Sequence, residues 1–478
     1  KFAAEHRQGA IDVAFTLLEG REPFEYRRVL ACQSTREAAE LLETGDPRRV
    51  FNHVREIEEA SLVFLLPGGG AQYFQMGQGL YDSEPVFRQH IDRGLTLLRE
   101  RHGVDLGPVF HAGEADREQI TEALDQPSIQ LPLTFMVEYA LARLWESFGV
   151  KPSALMGHSM GENTAACLAG VLSFEDTLGL ILLRGQLIEQ TEPGGVLSVP
   201  MPAEELAEFI DEDLDIAAAN GPSLSVASGP DARLDALSAR LLEQGVESQR
   251  VRVNVAAHSR LLDPILDAFR AHLETLPLSP PQIPIVSNRT GTWLTDEQAC
   301  DPGYWVEHLR HTVYFAAGVA TLIEGEDRVF LEVGPGNMLG SFTRQNPDSP
   351  AQRVISSMRH PQDPVPDAVY FRSVIGRLLA VGVDVDGDRA AAAQSRPSRD
   401  ARPPGLRAVP RPDTPARSQA GPALRRRARE DGRAAARGGV APRRAGPGGD
   451  AVRRRRGDCI TRRRGLRESS HRRAVARG

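Results

Sequence analysis

Lysine is almost missing from this 478-residue chain: Lys1 and Lys151 are the only two. Arginine therefore carries nearly all the positive charge, a bias that suggests a GC-rich gene. Cysteine is scarce too. Cys32, Cys167, Cys300 and Cys459 lie far apart, which excludes a disulfide framework and a close-spaced metal-ligand motif. A reducing, cytoplasmic setting is the expectation. No apolar run approaches the roughly 18 residues a membrane span needs, so no membrane partner is expected. The start, Lys1-Phe2-Ala3, has neither a signal-peptide pattern nor an initiator Met, and reads as a piece cut from a longer chain.

The formal net charge of −7 averages two unlike regions. The last ninety or so residues hold about 26 Arg against about 8 acidic residues, which leaves the body before them strongly acidic. An acidic body argues against nucleic acid as a partner. Hydrophobic content of 41% and charged content of 25% are those of an ordinary globular protein, and the length predicts two or three domains.

Along the chain, Ala10 to Leu18 and Thr35 to Leu42 have helical periodicity around a short strand candidate at 28–32. Ser61 to Leu66 is a continuous apolar run closed by Pro67-Gly68-Gly69-Gly70, the pattern of a buried parallel strand. Leu131 to Phe148 is a strongly apolar helix. A short strand at 152–156 leads through Gly157-His158-Ser159-Met160-Gly161-Glu162 into a helix over 163–169, and a further helix spans 174–189. Residues 194–253 read as an inserted βαββαβ unit, the ferredoxin-like order. Strand candidates at 283–286 and 329–333 then resume an α/β core around a parallel sheet.

Gly157-His158-Ser159-Met160-Gly161 fits Gly-x-Ser-x-Gly between a strand and a helix, the context of a nucleophile elbow. The glycines permit a sharp turn that presents the Ser159 hydroxyl at a helix N-terminus, where backbone N–H groups can hold an oxyanion. A serine needs a base. His258, in Asn254-Val255-Ala256-Ala257-His258-Ser259, is the candidate, whereas His158 beside the serine is expected to pack.

These residues bring a family into view. Gly157 to Glu162 resembles the Gly-His-Ser-x-Gly-Glu signature of malonyl-CoA:acyl carrier protein transacylases and polyketide synthase acyltransferase domains. Pro67 to Gln72, Ala257-His258-Ser259, Tyr304-Trp305-Val306 and Glu332 to Gly336 match the family's other motifs in order. The resemblance covers about residues 1–385. It implies an α/β-hydrolase-like core with a parallel sheet, carrying the inserted ferredoxin-like subdomain and preceded by a small α/β linker domain. The implied boundaries are 1–60 for part of a ketosynthase-to-acyltransferase linker, 61–193 and 254–345 for the two parts of the large subdomain, 194–253 for the small subdomain, 346–385 for a following linker and 386–478 for the tail.

By the same resemblance Ser159 is the acylated nucleophile and His258 its base, with the backbone carbonyl of His308 orienting the histidine. The oxyanion donors are the backbone N–H groups of Met160 and Gly69, the latter standing where the family usually has Gln. Arg184, in Leu182-Leu183-Arg184-Gly185-Gln186, matches the arginine that grips the free carboxylate of malonyl groups. It interrupts an apolar helix pattern, and a guanidinium holds a carboxylate bidentately for about 1.5–3 kcal/mol per charged hydrogen bond. Selectivity among extender units would lie with Met160, Val255, Ala256 and Ala257. They match neither the Phe of malonyl-selective relatives nor the Ser, Tyr and Gln of methylmalonyl-selective ones. A methyl group is worth only about 1–3 kcal/mol in a pocket, and malonyl-CoA is the expected donor.

No bound cofactor is implied beyond the CoA thioester and the phosphopantetheine of a partner acyl carrier protein, and a ketosynthase is expected upstream in the parent chain. Two other readings stay open: a serine hydrolase or thioesterase, which would need an acidic residue to orient its histidine, and a non-catalytic docking fragment of a synthase. The Arg-rich tail reads either as a basic disordered arm or, the favoured expectation, as a frameshifted product with no compact fold.

Overall fold

The computed structural model describes residues 9–19, 24–55, 60–251 and 253–386. The Arg-rich tail from 387 onward lies outside the described residues. The first unit comprises α1 (Ala10–Glu19), β1 (Tyr26–Leu30), α2 (Thr35–Thr44) and β2 (Val50–Val54). Ser34 caps α2 by accepting from the Glu37 N–H. β1 and β2 pair antiparallel, with Tyr26 opposite Val54 and Leu30 opposite Val50.

The body then runs through β3 (Ser61–Leu66), α3 (Pro85–His102), α4 (Pro127–Ser147), β4 (Ala154–Gly157), α5 (Met160–Leu168) and α6 (Phe174–Ile188). The inserted unit follows as β5 (Gly195–Val199), β6 (Asp215–Gly221), β7 (Leu224–Gly229), α7 (Asp231–Glu243) and β8 (Gln249–Arg250). The body resumes with α8 (Leu266–Leu273), β9 (Ile285–Val286), α9 (Pro302–Arg310), α10 (Phe315–Ile323), β10 (Arg328–Glu332), α11 (Met338–Thr343), β11 (Val354–Ser356) and α12 (Asp367–Val381).

The main sheet has the order β11-β10-β3-β4-β9, and every pairing in it is parallel. β3 is its middle strand. Because alternate side chains of a strand face opposite ways, Leu62, Phe64 and Leu66 enter one core with α3, α4 and α6, while Val63 and Leu65 enter a second core with α10 and α11. Burial on both faces is why β3 is apolar throughout rather than alternating. The inserted unit forms a separate four-stranded sheet, β6-β7-β5-β8, with its own core around Leu197, Leu206, Leu234 and Leu241. The connectivity and order are ferredoxin-like. Its first helix is shorter than the pattern predicts: α-helix covers Ala203–Leu206 and a 3-10 turn covers Ala207–Phe209.

Two features depart from the sequence reading. β11 falls in the stretch expected to be a linker after residue 345, yet it is the edge strand of the main sheet and pairs with β10. α12 folds back onto the first unit, where Gly376 lies against Val29, the Arg27 guanidinium donates to the Leu379 carbonyl, and Arg377 sits 4.5 Å from the Phe51 ring centroid. Among the described residues, no helix is long and apolar enough to cross a membrane.

Candidate active site

β4 ends at Gly157, α5 begins at Met160, and Ser159 caps the helix between them with φ 52°. Only three non-glycine residues among those described have positive φ, namely Gln75, Ser159 and His258. Two of the three are the serine and histidine singled out by the sequence. Such a backbone costs on the order of 1–3 kcal/mol and persists only where the surroundings enforce it. The flanking glycines make the turn possible, since a Cβ on Gly157 would meet the Glu162 backbone and one on Gly161 the Leu66 carbonyl.

Glu162 buttresses the elbow from below. Its carboxylate accepts the Asn288 N–H at 2.5 Å and the Tyr304 hydroxyl, while Asn288 Nδ2 donates to the Gly157 carbonyl at 3.0 Å. Burial pushes the Glu162 pKa up to about 7, against the opposing pull of the Tyr304 and Asn288 hydrogen bonds.

His258 Nε2 lies 2.7 Å from Ser159 Oγ, and His258 Nδ1 lies 2.9 Å from the His311 carbonyl oxygen. A carbonyl can only accept, so Nδ1 carries the proton and Nε2 is left to accept from the serine. The imidazole is 4% exposed. Burial first, and then the Arg184 charge, lower its pKa to about 3, so it stands ready as a neutral base. The orienting carbonyl thus belongs to His311 and not to the expected His308. The reason is helical: His308 is still inside α9, whereas His311 is the extended residue just beyond its end, with φ −101° and ψ 170°. The His308 ring is buried, its centroid 6.5 Å from that of His258.

The glycine loop after β3 packs against the elbow. A Cβ on Gly68 would come within 2.5 Å of the His158 carbonyl oxygen and 3.3 Å of the Met160 nitrogen. The Gly68 N–H donates to Glu138 Oε1 at 2.7 Å and the Gly70 N–H to Gln72 Oε1 at 2.9 Å, while Gly161 N–H is taken by the His158 carbonyl. Among the described residues, the N–H groups of Gly69 and Met160 have no acceptor. These are the two N–H groups that the resemblance would turn towards an oxyanion.

Arg184, 4% exposed, reaches in from α6. Its Nη2 donates to Ser159 Oγ at 3.0 Å and its Nη1 to Asn163 Oδ1 at 2.9 Å, while the buried Nε has no partner among the described residues. None of the ion pairs among the described residues includes Arg184. Burial alone lowers its pKa, to about 10, so it remains a cation. A buried cation with no counter-charge is expensive unless an anion arrives to meet it.

The residues expected to set selectivity differ in exposure. Met160 and Ala256 are buried, while Val255 and Ala257 are partly open. His158, expected to pack, bonds through Nε2 to Asn220 Oδ1 at 2.8 Å, tying the elbow to β6 of the inserted unit. Sequence reasoning missed Asn163, Glu138, Asn220 and His311. Glu162 and Tyr304 stood in quoted motifs but carried no role there.

The family described as "Acyl transferase domain" matches residues 63–385, and one described as "CurL-like, PKS C-terminal" matches residues 2–42. A phenolphthiocerol/phthiocerol polyketide synthase of Mycobacterium tuberculosis is 37% identical over 327 residues, covering 68% of this chain and 22% of its own length. The chain thus spans about a fifth of that relative. Among solved structures, the acyl transferase domain of ZmaA is 36% identical with TM-score 0.74, covering 81% of this chain and 90% of that one. The acyl transferase domain of SpnD, in complex with 2-(pent-4-yn-1-yl)malonyl, is 38% identical with TM-score 0.72, covering 80% and 90%.

Proposed function

The chain belongs to the acyl transferase domain family, whose relatives here are polyketide synthases, and from that premise we propose that it moves a malonyl unit from CoA to the phosphopantetheine thiol of an acyl carrier protein through an ester on Ser159. His258 Nε2 takes the Ser159 proton as Oγ attacks the thioester carbonyl. The Met160 and Gly69 N–H groups hold the oxyanion. The C–S bond breaks, and the departing CoA sulfur receives the proton from His258. In the second half the carrier thiol gives its proton to His258, its sulfur attacks the ester carbonyl, and the C–O bond breaks to return the proton to Ser159. Residues 1–60 serve as part of a linker from an upstream ketosynthase.

The observation that carries this reading is Arg184, a buried guanidinium with no carboxylate of its own, hydrogen-bonded to the nucleophile's oxygen. A malonyl group on Ser159 supplies that missing carboxylate, and an acetyl group does not. The substituted malonyl ligand of the SpnD domain supports the same acyl class. Ala257, in place of a bulky side chain beside His258, leaves room for an α-substituent without selecting for one. A serine hydrolase is disfavoured because His258 Nδ1 faces a carbonyl and not a carboxylate.

Intact-protein mass spectrometry after separate incubation with malonyl-, methylmalonyl- and acetyl-CoA tests the proposal. A malonyl adduct is expected, with Ser159→Ala abolishing it and Arg184→Ala losing discrimination against acetyl. An adduct from acetyl-CoA alone on the parent protein would sink it.

A further inference from the structure

Asn163 lies in the first turns of α5, four residues after Ser159, which caps that helix. Arg184 spans the two, with one terminal nitrogen on Ser159 Oγ and the other on Asn163 Oδ1. Asn163 is 2% exposed, so its amide oxygen is committed to this contact and screened from water. Its chemistry matters because of what it withholds. An aspartate of the same shape would form an ion pair with the guanidinium and compete with any substrate carboxylate. An apolar residue would leave the long Arg184 side chain unanchored at that end. An amide oxygen fixes the direction of the fork and leaves its charge unspent.

We propose that Asn163 is a positioning residue for acyl selectivity: it aims Arg184 at the acyl group on Ser159 while leaving the cation unneutralised, so that carboxylate-bearing acyl groups are preferred. This rests on the reading of Arg184 as the carboxylate clamp. Asn163 touches neither the reacting carbonyl nor the leaving sulfur, and acts only through Arg184. Two losses follow. Without the amide oxygen, the clamp loses one charged hydrogen bond that orders it, worth roughly a tenfold to hundredfold effect. With a carboxylate in its place, the clamp is occupied before substrate arrives, and the preference for malonyl collapses or inverts.

The experiment measures initial rates of Ser159 acylation by malonyl-CoA and acetyl-CoA, by intact-protein mass, in the full chain and in Asn163→Asp, Asn163→Ala and Arg184→Ala. Thermal melting confirms that each variant folds. The malonyl-to-acetyl rate ratio is expected to fall about a hundredfold in Asn163→Asp and about tenfold in Asn163→Ala, with the malonyl loss in Asn163→Asp appearing mainly as a raised KM. A purely structural role would lower both rates together and keep the ratio, which would overturn the proposal. Should the isosteric Asn163→Asp fail to fold, the ratio in Asn163→Ala decides alone. A parent ratio that Arg184→Ala leaves unchanged would instead overturn the clamp reading, and this proposal with it.

Discussion

His258 keeps a neutral imidazole far below the usual histidine range, because burial and then the Arg184 charge disfavour its protonated form. The base is therefore already in its working state across the whole neutral and mildly acidic range. For the free enzyme, the acid limb of kcat/KM reports the pKa of this base. We expect the acylation rate at low malonyl-CoA to stay level from pH 7.5 down through about 5, where an ordinary histidine of pKa about 6.5 would already have lost most of its activity. Arg184→Ala removes the second-largest cause of the shift, so its limb moves to higher pH while burial keeps it below the ordinary value. Acylation rates of both proteins against pH check this, and a parent limb near 6.5 would contradict it. Ser159 stood out in the sequence as a hydroxyl between glycines at a strand-to-helix turn, whereas local pattern marked His258 only as an imidazole before a helix and Arg184 only as a cation in an apolar stripe, and their roles came with the family resemblance. His311 could not be read from the sequence, because its contribution is a backbone carbonyl that any residue could supply. Asn163 could not either, since a helical amide is silent until the arginine it holds has been placed.

The loop that follows β3 runs Pro67-Gly68-Gly69-Gly70, and three glycines in a row would on their own leave it loose. It is held at both ends by side chains: Glu138 of α4 takes the Gly68 N–H, and Gln72, itself bonded by Gln130 of α4 at 2.5 Å, takes the Gly70 N–H. Glu138 also accepts from Thr164 of α5 at 2.5 Å. One carboxyl group thus ties the loop to the helix that follows the nucleophile. Gly68 has φ 72°, and a Cβ there would press on the backbone of the elbow itself, with the His158 carbonyl oxygen at 2.5 Å and the Gly161 nitrogen at 2.6 Å. Gly68→Ala must therefore push loop and elbow apart, which draws the Gly69 N–H away from the place proposed for the reacting carbonyl. Losing one oxyanion donor typically costs about 10²–10³ in rate. We expect a fall of that order in the acylation rate at saturating malonyl-CoA with little change in KM. A variant at the parent rate would remove Gly69 from the oxyanion hole. At this scale the elements were largely legible, because apolar runs and glycine breaks mark β3, β4 and β10 directly. β11 was not. It has three residues, and Val354-Ile355-Ser356 carries too little pattern to distinguish an edge strand from a linker.

Across the whole molecule, buried titratable groups pull stability in opposite directions as pH changes. His258, His308, His90 and His158 all have lowered pKa values, with burial the leading cause; His90 is brought to about 4. Between those values and the unfolded value of about 6.5, the unfolded chain binds protons that the folded one refuses. Stability therefore drops as pH falls through that window. Glu138 is pushed up to about 8 and Glu162 to about 7, in both cases chiefly by burial, and buried Glu332 is raised as well. For these the sign reverses. Above about pH 4.5 the unfolded chain releases protons that the folded one keeps, so stability drops as pH rises towards 8. Each proton is worth about 1.4 kcal/mol per pH unit within its window. Below about pH 4.5 the histidine effect acts in the same direction as carboxylates whose pKa values are lowered, among them Asp215 and Glu37; between 4.5 and 6.5 the histidines and the raised carboxyls oppose each other, and above 6.5 the raised carboxyls act without that opposition. The melting temperature is therefore expected to change little between pH 4.5 and 6.5, fall steeply below pH 4.5 and decline from about pH 6.5 towards pH 8. Glu138→Gln keeps an acceptor for the Gly68 N–H but cannot ionise, so it should flatten the alkaline decline without moving the acid limb. Scanning the melting temperature of both proteins from pH 4 to 9 decides the matter. A curve for the parent that keeps rising beyond pH 7 would mean that these buried carboxyl groups are already ionised in the folded protein, and that the hydrogen bonds from Gly68, Thr164, Tyr304 and Asn288 outweigh their burial.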